Sequence, residues 1–153
     1  MPSSILYDAS PSLTTVIHGD STTPTLKNLS SASRKLGSEI NNASALHQYG
    51  LFELQVRGAS TVSSGGYVEL YLIPAADGTN YADGDDSTDP PSACLAGIFP
   101  LRAVSTAQRI TLWGVVLPPT KFKPLIINRA GVALTNTDDE NLLRFGSYND
   151  EVQ

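Results

Sequence analysis

The sequence predicts an all-β protein, a β-sandwich of jelly-roll or immunoglobulin-like type with an extended N-terminal arm. Seven or eight short apolar segments recur between turn-forming residues, and no window shows the helical spacing of apolar residues. The composition also changes near residue 48, before which Ser, Thr, Asn and Pro crowd together. We therefore expect an arm over residues 1–48, with one or two short strands, and a sandwich domain over residues 49–153.

The predicted arm has few apolar residues, and these lie in short pieces. An arm without a core of its own gains order when it adds a strand to the exposed sheet edge of a neighbour. The predicted partner contacts are the apolar and β-prone positions of the arm, namely Thr14, Val16, Ile17, Leu26 and Leu29.

The first strands of the domain show two-residue alternation. Phe52, Leu54 and Val56 share one face, and polar residues occupy the other, which is typical of a half-buried strand. The same pattern returns over residues 67–73. We predict that these two strands pair as an antiparallel hairpin across the turn-rich segment 58–66.

Prolines delimit the later strands. We predict strands over residues 93–99, 108–117, 123–128, 132–134 and 142–148. Pro124 is expected at the start of its strand or on a sheet edge, because proline has no N–H to donate to a ladder. In the longest strand Trp113 falls on the nominally outer face, together with Val115, which indicates that both faces are covered.

Charge and composition exclude several classes of function. The formal charge is -5, and the basic residues are scattered, which argues against a nucleic-acid partner. No apolar stretch approaches the roughly 18 residues that span a bilayer, and we expect no export signal and no membrane partner. Only 16% of the residues are charged, against roughly 25% in ordinary domains. This suits a surface that is covered by other proteins, and it equally suits any Ser/Thr-rich β-domain.

A long acidic loop follows the second strand of the domain. Its carboxylates are Asp77, Asp83, Asp85, Asp86 and Asp89, with no basic residue between them. Asp83, Asp85 and Asp89 are a candidate calcium site, since calcium prefers oxygen ligands. The segment lacks the glycine and the closing glutamate of an EF-hand, so a solvated acidic loop without metal is favoured, and no cofactor is predicted.

Catalysis is not expected. His18 and His47 lie outside the predicted sandwich, and neither has a second histidine at ligand spacing. The single cysteine, Cys94, forms no intrachain disulfide, and its apolar neighbours predict a packed thiol.

Four aromatic residues allow a second interpretation, a carbohydrate-binding module. They are Tyr67, Tyr71, Tyr81 and Trp113. Tyr67 and Tyr71 share a strand face because they are four residues apart. Packing of that face under the acidic loop, the second sheet or a neighbouring subunit is favoured over a sugar platform.

The central block of the chain resembles a recurrent family of small structural proteins of tailed bacteriophages. The resemblance is carried by residues 70–84 (LYLIPAADGTNYADG), 89–91 (DPP), 97–102 (GIFPLR), 117–119 (LPP) and 121–128 (KFKPLIIN). It covers roughly residues 49–150. It implies a virion component without enzymatic activity and in many copies, with a capsid decoration (cement) protein favoured over a tail or baseplate component.

The resemblance also implies partners and a location. We expect the protein to bind itself and the major capsid protein or other virion proteins, at the capsid surface of a virion whose proteins are made in the host cytoplasm. Identical subunits usually form closed symmetric oligomers, and a homotrimer matches the local three-fold positions of an icosahedral shell.

Overall fold

The computed structural model describes residues 5–9 and 12–152, and describes side chains over residues 12–149. The strands in this part of the chain are β1 (Ile5–Ala9), β2 (Thr14–Ile17), β3 (Arg34–Leu36), β4 (Ile40–Asn41), β5 (Tyr49–Val56), β6 (Tyr67–Ala75), β7 (Leu95–Pro100), β8 (Gln108–Val116), β9 (Lys121–Arg129) and β10 (Leu142–Val152). One turn of 3-10 helix, Ser92–Cys94, precedes β7. The prediction of an all-β sandwich is confirmed.

The strands form two antiparallel sheets that pack against each other. In sheet A, β1 and β2 follow one another along the same edge of β10, and the order continues through β5 to β8. In sheet B, β3 and β4 follow one another along β9, and the order continues through β6 to β7. The outer strands β7 and β8 lie against each other, so one side of the sandwich consists of these two edges.

The connectivity is that of a jelly roll. With β1 and β2 counted as one strand, and β3 and β4 as another, eight strands change sheet at every step except between β6 and β7. Eight strands in two Greek keys define the jelly roll. In an immunoglobulin-like sandwich, by contrast, the first and second strands lie in the same sheet, and so do the strands lettered D and E in that fold. The structure therefore selects the jelly roll from the two predicted types.

Residues 12–48 are an integral part of the sandwich, which corrects the predicted domain boundary at residue 48. β2 pairs with β10, while β3 and β4 pair with β9. The segment is extended and contains short strands, as predicted, but these strands lie at the edges of both sheets of its own chain instead of adding to the sheet of a neighbour. The prediction of a free arm over this range was wrong because strands of two to four residues are too short to show alternation in sequence.

Two local predictions were also wrong. β5 and β6 do not pair as a hairpin, since β5 lies in sheet A between β10 and β8, and β6 lies in sheet B. Residues 132–134 form no strand and make only an isolated bridge, from Leu134 to Gly58. For β5 the alternation was read correctly, but its partner strands, β8 and β10, lie far away in the sequence.

Pro124 lies inside the central strand β9, not at its start or on an edge. It faces the break between β3 and β4, where its carbonyl accepts from Gly37 N at 2.6 Å. At this break no ladder partner needs the missing N–H. The two short strands thus explain how a proline is tolerated in the middle of sheet B.

The main core lies between the sheets and has aromatic residues at its centre. The ring centroids of Phe52 and Phe145 are 5.0 Å apart, and Phe122 meets Phe145 edge-on at 6.0 Å. The alternation predicted for β5 is confirmed, because Phe52, Leu54 and Val56 are all buried. Such contacts place the inward faces of both sheets in one apolar layer.

The buried polar side chains are all amides, and each one fastens a loop. They are Asn42, Gln108, Asn128 and Asn141 among the described residues. The Asn141 amide, for example, accepts from Arg57 N at 2.7 Å and donates to Thr135 O at 3.1 Å. An amide both donates and accepts, so it satisfies unpaired backbone groups without bringing a charge into the interior.

Candidate interaction surface

A long loop, residues 76–91, crosses the outer face of sheet B, and we call it the strap. Tyr81 and Ala82 of the strap pack over Ile73, Leu125 and Ile127, which are all buried. These residues form a second apolar cluster outside the main core. Of the three coverings considered for the outer face of β6, the acidic loop is the one that the structure shows, at Ile73.

The strap is held by cations of β3. Arg34 Nη2 lies 2.6 Å from Asp89 Oδ1, and Lys35 pairs with Asp86. Asp86 also accepts from the backbone N–H of Leu36 at 2.7 Å. The acidic loop is thus ion-paired rather than simply solvated. The sequence did not reveal these pairs because the basic residues lie about fifty positions earlier in the chain.

A second attachment lies at Tyr81. Its hydroxyl donates to Glu39, which also pairs with Lys121 at 3.3 Å, and Lys123 Nζ lies 4.3 Å from the centre of the tyrosine ring. Desolvation, followed by the bond to the Glu39 carboxylate, raises the pKa of Tyr81 to about 12. Two cations and one carboxylate therefore hold the middle of the strap against β9.

The structure does not assemble Asp83, Asp85 and Asp89 into a calcium site. Asp85 Oδ1 accepts from Ser87 N at 2.7 Å and from Thr88 N at 2.6 Å, and Asp89 is turned towards Arg34. In the described part of the chain no group of three His, Cys, Asp or Glu side chains converges as metal ligands. Asp85 instead stabilises a turn of the strap, and Asp89 forms an ion pair with β3.

The turns of the strap are expected to open only in strong acid. Backbone N–H groups of Asn80 and Ser87 are the leading reason why the pKa values of Asp77 and Asp85 fall from 3.8 to about 2. A lowered folded pKa adds stability above the unfolded pKa, and this contribution is lost as the pH falls through about 2. In NMR titrations of these two carboxylates we expect midpoints near 2; midpoints near 3.8 would contradict the turn geometry.

Four of the five predicted arm contacts are not available to a partner. Val16, Ile17, Leu26 and Leu29 are buried in the core of this chain. Thr14 is exposed and pairs with Phe145 in sheet A. The prediction that these side chains contact a partner was wrong for the four apolar residues, because the jelly roll uses them to fill its own interior.

The side of the sandwich formed by β7, β8 and their flanking segments has an unusual composition. Residues 92–119 contain no Asp or Glu, and their only charges are Arg102 and Arg109. We call this range the acid-free side. Four of the five large apolar residues that are exposed in the described structure belong to it: Leu95 (45%), Ile98 (45%), Trp113 (71%) and Val116 (73%).

A β-bulge in β8 turns Trp113 outwards. Gly50 of β5 lies opposite Val115 and Phe52 lies opposite Leu112, so Trp113 and Gly114 share a single partner position. Gly114 has a φ of 67°, which a side chain would disfavour. The extra residue shifts Val115 into the core, contrary to the simple alternation. The predicted covering of Trp113 is not found among the residues whose side chains the structure describes.

Further apolar surface adjoins the bulge on the outer face of sheet A. The rings of Tyr49 and Tyr148 stack with centroids 5.6 Å apart. Leu46 precedes β5, is 57% exposed and has a positive φ of 49°. Asn42 holds that loop by donating to His47 O and Pro118 O at 2.9 Å. This end of sheet A is therefore a rigid, partly aromatic surface.

The four aromatic residues considered for sugar binding do not form one platform. Tyr67 and Tyr71 lie on β6 in sheet B, Tyr81 lies in the strap, and Trp113 lies on β8 in sheet A. Cys94 packs against the cluster beneath the strap, and burial raises the pKa of its thiol. The sequence signal for the exposed surface was the absence of acidic residues over 92–119, not the number of tyrosines.

The histidines have structural contacts. His18 bridges to Thr25, and His47 Nδ1 lies 2.6 Å from Ser147 Oγ. Within the described residues no carboxylate contacts His47, so this pair lacks the third member of a catalytic triad.

No described helix is long and apolar enough to cross a membrane.

No protein-family model, curated protein or solved structure matches this chain.

Proposed function

We propose that this chain is a non-enzymatic structural protein of a bacteriophage virion, and specifically a capsid decoration protein that binds and stabilises the head shell. Its partners are the major capsid protein or other virion proteins, together with further copies of itself. Its location is the outer surface of the capsid, after synthesis in the host cytoplasm.

The observation that carries this proposal is the exposed, acid-free side. Trp113 and Val116 expose most of their side chains. Charged residues normally prevent an edge strand from pairing with another chain, but Arg109 is the single charged residue of β8. Apolar surface rimmed by polar residues marks contact sites on soluble proteins. Tryptophan is also enriched among the residues that dominate binding energy. A protein that assembles with others accounts for this surface.

The fold adds support without deciding the function. Jelly rolls occur in viral capsid proteins, in lectins and in cupins, and one fold serves many activities. The sequence block over residues 70–128 resembles structural proteins of tailed bacteriophages, which favours the first of these classes. Attachment through the four apolar residues of the predicted arm is no longer part of the proposal, because they are buried.

Electron microscopy of intact particles at side-chain resolution tests this proposal. We expect density for the jelly roll on the outside of the head, in register with the capsid lattice, and the protein in mass spectra of purified particles. Particles from a phage that lacks the gene serve as the control and are expected to lose this density. Density in the tail would replace decoration by the tail or baseplate alternative, and absence from particles would overturn the virion role.

A carbohydrate-binding module is the second candidate, and the exposed Trp113 is the observation that favours it. The C–H face of a saccharide ring packs against an exposed aromatic face, whose π-system is electron-rich. Reproducible binding to a glycan array that disappears in Trp113→Ala would support this candidate, whereas an array without signal would count against it.

A further inference from the structure

We propose that the strap is a lid, which swings away from sheet B as one unit while the jelly roll stays folded. Opening uncovers the apolar side chains of Ile73, Leu125 and Ile127, which are at most 2% exposed when the strap is closed. The protein thereby gains an apolar surface that its closed form hides. This inference does not depend on the proposed virion role.

The strap is longer than the fold requires. It connects β6 to β7, which are antiparallel neighbours in sheet B, and such neighbours are commonly joined by roughly two to five residues. The strap instead spans residues 76–91. Connections longer than about 12–15 residues without secondary structure of their own are uncommon, and they are usually functional, as lids and binding loops are. The strap also crosses β9 and reaches β3 at the opposite edge of the sheet.

The ion pairs that hold the strap on β3 are weak individually. The carboxylates of these pairs are Asp86 and Asp89, and their side chains remain 52% and 76% exposed. Water and salt screen ion pairs at such positions, so each pair contributes little to stability. Opening therefore breaks contacts that are replaced readily by solvent.

The strap does not fill the space above sheet B. A cavity of about 300 Å³ is lined by Leu36 and Ile73 of the sheet and by Ala82 and Gly84 of the strap, among others. Side chains that border a cavity lose part of the dispersion contacts of a close-packed interior. In the described structure a single backbone-to-backbone hydrogen bond joins the middle of the strap to a strand, from Ala82 N to Pro74 O at 2.9 Å.

Internal turns allow the strap to move as a unit. Asp77 Oδ1 accepts from Thr79 N at 2.8 Å and from Asn80 N at 2.6 Å. Asp85 closes the second turn in the same way. Both turns are formed within the strap, so opening leaves them intact.

Sheet B keeps its hydrogen bonds when the strap leaves. β9 lies directly beneath the strap and pairs with β3 and β4 on one side and with β6 on the other. The apolar cluster under the strap is separate from the main core between the sheets. The jelly roll therefore does not have to unfold for the lid to open.

Native-state amide hydrogen exchange of the full chain, followed by NMR, tests this inference. Two amides are bonded between the strap and the sheet: Leu36 N donates to Asp86 Oδ1 at 2.7 Å, and Ala82 N donates to β6. The reference is Asn128 N, whose bond lies within the jelly roll. We expect Leu36 and Ala82 to share one protection factor, at least about tenfold lower than that of Asn128, because local opening requires less free energy than global unfolding.

Substitutions at two separate attachments show whether the strap opens as a whole. Asp89→Asn removes the ion pair to Arg34, and Tyr81→Phe removes the bond to Glu39. Each is expected to speed the exchange of both amides by about two- to fivefold, since every attachment holds the same unit. Asp138→Asn breaks an exposed ion pair outside the strap and is the matched control, expected to change neither amide.

Acceleration that stays confined to the amide nearer the substitution would overturn the inference, because the strap would then fray in pieces. Equal protection of all three amides would overturn it as well, because the strap would then open only when the whole chain unfolds. Exchange of both amides that neither Asp89→Asn nor Tyr81→Phe alters would show that these attachments do not hold a lid.

Discussion

Replacing Leu26 with alanine is expected to lower the free energy of unfolding by about 2–5 kcal/mol, the range for buried Leu to Ala substitutions. Leu26 is 0% exposed, and its amide donates to His18 O at 2.9 Å. The substitution removes apolar contacts and leaves a cavity in a core that comprises both sheets. Urea unfolding followed by circular dichroism measures the change.

Leu46→Ala is the matched control, since Leu46 is 57% exposed. We expect its effect to stay within about 0.5 kcal/mol, as for most surface substitutions. If Leu26→Ala were equally mild, residues 12–48 would be a dispensable arm after all. A large effect confined to Leu26 would establish that this segment is part of the folding unit.

Asn128→Ala is expected to cost about 2 kcal/mol or more, because a buried group without its partner costs about 1–3 kcal/mol. Asn128 is fully buried, and its Nδ2 donates to Leu29 O at 3.0 Å and Val132 O at 2.9 Å. Its Oδ1 accepts from Ala130 N at 2.9 Å. One side chain thus fastens the turn after β9 to the segment that precedes β3.

The control for this substitution is Asn136→Ala, which removes an exposed bond from Asn28 Nδ2 to Asn136 Oδ1. We expect a loss below about 0.5 kcal/mol there. Equal effects of the two substitutions in urea unfolding would show that water replaces the buried bonds of Asn128. That result would contradict the role of the buried amides as loop fasteners.

The two variants report on one property of this jelly roll, the attachment of residues 12–48 to the strands that follow. Leu26 acts through apolar packing, and Asn128 acts through hydrogen bonds to Leu29 and its neighbours. Because they share this segment, their effects are not expected to be additive. A double variant that loses less than the sum would confirm that both act on the same cooperative unit.

The surface was less predictable than the core. Local alternation placed Trp113 and Val115 on one face, but the bulge at Gly114 separates them, and only Trp113 remains exposed. A single extra residue reverses the faces of everything that follows it in a strand. The glycine was visible in the sequence, but the sequence did not reveal that β5 contributes one residue where β8 contributes two.

The sequence by itself determined the β class, the inward faces of β5 and β6, and the absence of acidic residues over 92–119. These are local properties, because a two-residue period and a run of composition need no knowledge of distant partners. Only the tertiary structure decided the jelly-roll order, the burial of Leu26 and the ion pairs that hold the strap on β3. Each of these depends on residues far apart in the chain, and pairing between distant strands leaves no periodic signal in either of them.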